Sequence, residues 1–203
     1  MNALLALARL IDTINRRVGQ AVTWLVLLAV VISATNATVR KIFNVSSNAW
    51  LELQWYLFGA IFLLAAGYTL LKNEHVRVDV LAAHLSRRSQ LWIEIFGVLF
   101  FMFPACGLIM WLGWPFFMDA FVNAEQSSNA GGLIRWPAKL LIPIGFALLI
   151  LAGLSHLIKC IGALMGRCPD PREVHAGKSA EEELADEIAR QAAQREAASQ
   201  QRH

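Results

Sequence analysis

The chain has 203 residues, 57% of them hydrophobic, and a formal net charge of +3. A soluble domain carries about 45–50% apolar residues, and the excess here falls in blocks long enough to cross a hydrocarbon core, which takes roughly 20 residues. The basic balance does not point to nucleic acid: Arg9, Arg16, Arg17, Lys72, Arg77, Arg87 and Arg88 flank apolar blocks, and no basic stripe is interleaved with aromatic residues.

In chain order, residues 1–19 read as an amphipathic helix. Leu4, Leu7, Ile11, Ile14 and Val18 recur at spacings of three and four, with Arg9, Asp12 and Arg16 on other faces. Such a segment can lie in the membrane interface and run into a span. A secretory signal is the competing reading, with Ala37 after a small-residue pattern. The apolar stretch 21–39 starts late for a signal and approaches full span length, which favours an uncleaved first helix. The transmembrane domain then covers 20–164, with spans at about 20–39, 50–71, 91–117 and 137–164. The expected fold is an all-α membrane protein with four transmembrane helices. Pro104 near the middle of the third span and Pro143 early in the fourth are expected to bend their helices. Pro137 suits the first turn of the last span.

Between the second and third spans, Asp79 can cap a short amphipathic helix carrying Leu81, Leu85 and the Arg87–Arg88 pair. The loop between the third and fourth spans is polar at Asn123, Glu125, Gln126, Ser127, Ser128 and Asn129, and turns through Gly131–Gly132. Residues 165–203 form a charged, alanine-rich tail. Ser179 and Glu182 match a capping box there, but the apolar face is too thin for a core.

Lysine and arginine counts orient the chain. One side holds Arg9, Arg16, Arg17, Lys72, Arg77, Arg87, Arg88, Lys159, Arg167 and Arg172; the other holds Arg40, Lys41, Arg135 and Lys139. Ten against four makes the first side cytoplasmic, with both termini there. Trp50, Trp55, Trp111, Trp114 and Trp136 then form the outer aromatic belt, with Trp24 and Trp92 at the inner one.

Ionisable groups at mid-membrane mark solute paths, and the middles of the first three spans contain none. Glu52 and Glu94 lie near span ends, where a carboxylate can reach water or bond across a helix contact. His156 is the one deep ionisable residue, and a neighbouring helix, a lipid headgroup or a partner subunit can satisfy it. A haem or metal site needs a second ligand at similar depth, and the sequence offers no histidine there and no recognisable cysteine–histidine ligand spacing. Cys106, Cys160 and Cys168 read as ordinary thiols. The expectation is therefore no enzyme, no cofactor and no metal. Arg135 and Lys139 are read as anchors for phospholipid headgroups, as a dock for a soluble partner, or as an attraction for an organic anion.

Two stretches carry a family resemblance. His75-Val76-Arg77-Val78-Asp79 after the second span, with Glu52 near that span's start, resembles the small membrane subunit of TRAP transporters, the DctQ type. The run 127–139 followed by Ile142-Pro143-Ile144-Gly145-Phe146 is similar to the same family, in its mannitol and chloroaromatic-like branch. The resemblance covers residues 18–164 and neither terminus. It implies a tripartite, sodium-coupled importer of an organic acid in the bacterial inner membrane. A periplasmic binding protein captures the solute, a large membrane subunit carries it, and the small subunit acts as a fixed scaffold. On that reading Asn123, Glu125, Ser127, Ser128, Asn129 and Arg135 are candidates for docking the binding protein. Glu52, Trp55, Phe58, Phe62 and His156 are candidates for contact with the large subunit or lipid. A membrane anchor of a redox complex and a self-contained channel remain the alternatives.

Overall fold

A computed structural model describes residues 2–44, 47–72, 85–166 and 168. Four helices account for nearly all of them: α1 (Asn2–Phe43), α2 (Asn48–Leu71), α3 (Arg87–Val122) and α4 (Trp136–Leu164). Each is long and apolar enough to cross a membrane. No strand occurs among the described residues; one isolated bridge pairs Gln126 with Ile134. The His75–Asp79 stretch, the Asp79 cap with Leu81, and the tail beyond Cys168 lie outside the described residues.

Two boundaries differ from the sequence reading. The N-terminal segment and the first span form one unbroken helix of 42 residues, about 63 Å at 1.5 Å per residue. That is twice a hydrocarbon core, and the roughly 20 uncharged residues between Arg17 and Arg40 are the part that fits one. The third span is also longer than 91–117, beginning at Arg87, where Ser86 caps it by accepting from Ser89 N–H.

The buried face of α1 is not the leucine stripe. Ala8, Ile11, Asn15, Val22 and Ala29 are buried, whereas Leu4, Leu7 and Ile14 are exposed. In lipid the apolar side chains lose nothing by facing outward, and small residues let helix backbones approach closely. The same rule shapes α4, whose buried positions include Gly145, Ala152, Gly153, Ser155 and Gly162. This helix is the hub. It packs against the other three, α1 and α2 also pack on each other, and α3 has no substantial contact with α1 or α2 among the described residues.

Prolines shape α3. Its helix widens into a π turn at Val98–Met102, with Phe103 N–H donating to Val98 C=O. Pro104, two residues after it, has no N–H to give and its ring crowds the preceding turn, which the π turn accommodates. The sequence reading missed Pro115, a second proline inside α3. Together with Pro143 it lines an apolar cleft of about 580 Å³ between α3 and α4, flanked by Trp111 and Trp114.

At Gly145 α4 packs tightly on α2. A Cβ there would lie 2.7 Å from Leu63 Cβ and 2.8 Å from the Leu63 carbonyl oxygen, and a backbone atom cannot rotate away. Gly145→Ala is therefore expected to push the helices apart and destabilise the fold by about 1–3 kcal/mol, measured as thermal unfolding in detergent. Gly107→Ala, in open space, is the control and should be neutral or slightly stabilising. Equal behaviour of the two variants would refute the contact.

Candidate functional site

Polar side chains gather at the two ends of the bundle and leave its middle apolar. At one end lies the loop between α3 and α4. The α3 helix ends at Asn123, Ala124 takes a left-handed φ of 47°, and Glu125 N–H returns to Ala120 C=O at 2.9 Å. The chain then folds into a small hairpin, with Ser127 N–H on Leu133 C=O at 3.0 Å and Arg135 N–H on Glu125 C=O at 2.9 Å. Gly131 supplies the φ of +70° at its tip. At Gly132 space is the constraint, because a Cβ would run into the Ser127 side chain and the Glu52 carboxylate.

Glu52 is the fastener. Its carboxylate accepts from Ser127 Oγ, from Asn129 Nδ2 at 2.9 Å and from the Leu133 backbone N–H at 2.7 Å. Asn48 Nδ2 donates to Ala130 C=O at 3.0 Å, and Tyr56 Oη to Ile134 C=O at 3.2 Å. One helical face of α2 thus holds the hairpin at three points. Glu52 is bonded within the chain and does not merely reach water.

Glu125 fixes the other flank. It is paired with Lys139, and with Arg135 at 3.5 Å. The hydrogen bond from Lys139, and after it the charges of Lys139 and Arg135, outweigh partial desolvation and hold the Glu125 carboxyl below its ordinary range. Lys139 also sits 3.9 Å from the centre of the Phe116 ring. The two cations read as headgroup anchors or an anion attraction are thus engaged within the protein. Of the six docking candidates, Glu125, Ser127, Asn129 and Arg135 build the hairpin, while Asn123 and Ser128 are exposed. Asn123 bonds back to Asp119 at 2.8 Å. The groove between hairpin and α2, about 460 Å³, is lined by Glu52, Trp55, Asn129, Arg135 and Lys139, among others.

At the opposite end α4 presents two polar stripes to its neighbours, each a pair one helical turn apart. Toward α1, Ser155 Oγ lies 2.5 Å from Asp12 Oδ1 and 3.2 Å from Ala8 C=O, and Lys159 Nζ lies 2.6 Å from Asp12 Oδ2. Toward α3, His156 Nε2 lies 2.9 Å from Glu94 Oε2, with Cys160 Sγ 3.6 Å from that oxygen. His156 is buried, and Glu94 on the neighbouring helix supplies its hydrogen bond. Sequence reasoning missed this carboxylate and the thiol four residues on as neighbours of His156. The His156–Cys160 spacing was visible as an i,i+4 pair; Glu94 became its neighbour through packing.

Trp55, Phe58 and Phe62 form a line on α2 that faces away from the bundle, with Trp55 78% and Phe62 83% exposed.

The geometry defines a four-helix membrane protein with a fastened polar hairpin at one end and interhelical clamps at the other, and no charged pathway through its described spans. Residues 27–162, roughly two thirds of the chain, match the family of Tripartite ATP-independent periplasmic transporters, DctQ component. The chain belongs to that family and is the small membrane subunit of a TRAP transporter, a transport component that works with a large permease and a periplasmic binding protein. Neither the curated proteins nor the solved structures contain a match. Membership takes the place of the redox-anchor and channel alternatives.

Proposed function

We propose that this subunit is the fixed scaffold of a sodium-coupled organic-acid importer in the bacterial inner membrane, and that its hairpin at 123–135 forms part of the docking surface for the binding protein. The observation that carries the reading is the fastened hairpin. A loop held at three points by α2 and at its flank by Lys139 presents a fixed shape, and a preformed surface loses less entropy on binding. The lysine and arginine asymmetry supports an outward-facing hairpin, with both termini cytoplasmic. The apolar line of Trp55, Phe58 and Phe62 suits contact with the large permease or with lipid.

Within the hairpin, Ser128 is exposed at the surface, so changing it tests docking without dismantling the loop. Ser128→Arg is expected to raise the binding-protein concentration for half-maximal uptake on the order of tenfold in proteoliposomes holding both membrane subunits, with thermal stability unchanged. Unaltered half-saturation would place the docking surface elsewhere.

A further inference from the structure

The cluster of Glu94, His156 and Cys160 has the composition and dimensions of a metal site. One ligand atom from each lies within 4.8 Å of the others. The edges of the triangle are 2.9 Å from His156 Nε2 to Glu94 Oε2, 3.6 Å from Cys160 Sγ to that oxygen, and 3.5 Å from Sγ to Nε2. Tetrahedral zinc holds sulfur at about 2.3 Å and nitrogen or oxygen at about 2.0–2.2 Å. Those bond lengths require sulfur edges of about 3.5–3.6 Å and a nitrogen–oxygen edge of about 3.3 Å. Two edges already fit, and the third opens with a carboxylate shift of about 0.4 Å.

Charge and surroundings agree with the dimensions. A thiolate and a carboxylate carry charge opposite to a dication, and imidazole is neutral, so the three ligand types suit a divalent ion. Lys159, three residues from His156, is engaged by Asp12 on the other face of α4. Cys160 is fully buried and His156 8% exposed, while the Glu94 side chain keeps 16% exposure as a way in. A thiolate with imidazole selects zinc-like ions over magnesium or calcium.

We propose that Glu94, His156 and Cys160 bind a divalent transition ion, zinc fitting best, which staples α3 to α4 at the end of the bundle where the chain begins. Binding displaces the Cys160 thiol proton, and any proton shared between His156 and Glu94, to solvent, so affinity rises with pH. The staple has a physical purpose, since α3 leans on α4 without substantial help from α1 or α2 among the described residues.

Cobalt reports such a site directly. The full chain, purified in detergent and stripped with chelator, is titrated with Co²⁺ and then with Zn²⁺. A thiolate-to-cobalt charge-transfer band should saturate at one ion per chain and disappear as zinc displaces cobalt. Cys160→Ser should abolish the band, and His156→Gln should weaken binding at least tenfold. The double variant Cys106→Ser/Cys168→Ser should keep it. Absence of the band in the monodisperse wild-type protein at one equivalent overturns the proposal, and so does a band that survives Cys160→Ser.

Discussion

Replacing Asp12 with alanine is expected to lower the stability of the purified protein by about 3 kcal/mol. Asp12 bridges α1 to α4 through Lys159 at 2.6 Å and Ser155 at 2.5 Å. The side chains of Lys159 and Asp12 keep only 22% and 14% of their exposure. Removing one partner of such a pair leaves the other charge poorly solvated, which costs more than the pair contributes. Partial exposure sets the expected loss at the low end of the range for buried pairs. The double variant Asp12→Ala/Lys159→Met should recover most of that loss, because no orphaned ammonium remains. Thermal unfolding of the three proteins in detergent decides the matter. A single variant as stable as wild type would mean that small-residue packing alone holds α1 to α4.

Glu52→Gln should have the largest effect on transport. The substitution preserves shape, but a glutamine amide cannot accept from Ser127, Asn129 and the Leu133 N–H as the two carboxylate oxygens do. One donor then faces another, and the hairpin loses the middle of its three ties to α2. Limited proteolysis should cut between residues 123 and 135 faster than in wild type, and uptake should fall on the order of tenfold, the factor for one lost charge-assisted hydrogen bond. Acid should add to this. Glu125 is held below its ordinary pKa by Lys139 and Arg135, so its stabilisation is fully present above the ordinary carboxylate value and is lost as pH falls through the depressed one. The variant hairpin should therefore open further in that acidic window. Full uptake by Glu52→Gln, with faster cleavage, would separate hairpin order from transport and remove the docking role.

Much of this was legible in the linear chain. Blocks such as 50–71 and 137–164 show membrane spans because a hydrocarbon core demands length and apolarity whatever the neighbours are. The Gly131–Gly132 turn and the pattern around Arg135 were equally plain, one from backbone freedom and the other from family resemblance. The N-terminal helix was legible as amphipathic, but the face it buries was not. The rule that leucines mark the inner face belongs to water, and in this bundle Ala8, Asn15 and Gly19 take that place while Leu4 and Leu7 face outward.

Side-chain partners were the part that could not be read. Glu52 and Leu133 are 81 positions apart, as are many pairs of no consequence. Local spacing placed Ser155 with Lys159 and His156 with Cys160 on neighbouring stripes of α4. It did not say that one stripe would meet Asp12 and the other Glu94. Sequence by itself determined the spans and the family, because composition and local motif carry both. Only the tertiary structure decided which polar groups meet, because helix rotation and crossing are set by small-residue packing along the whole of α4.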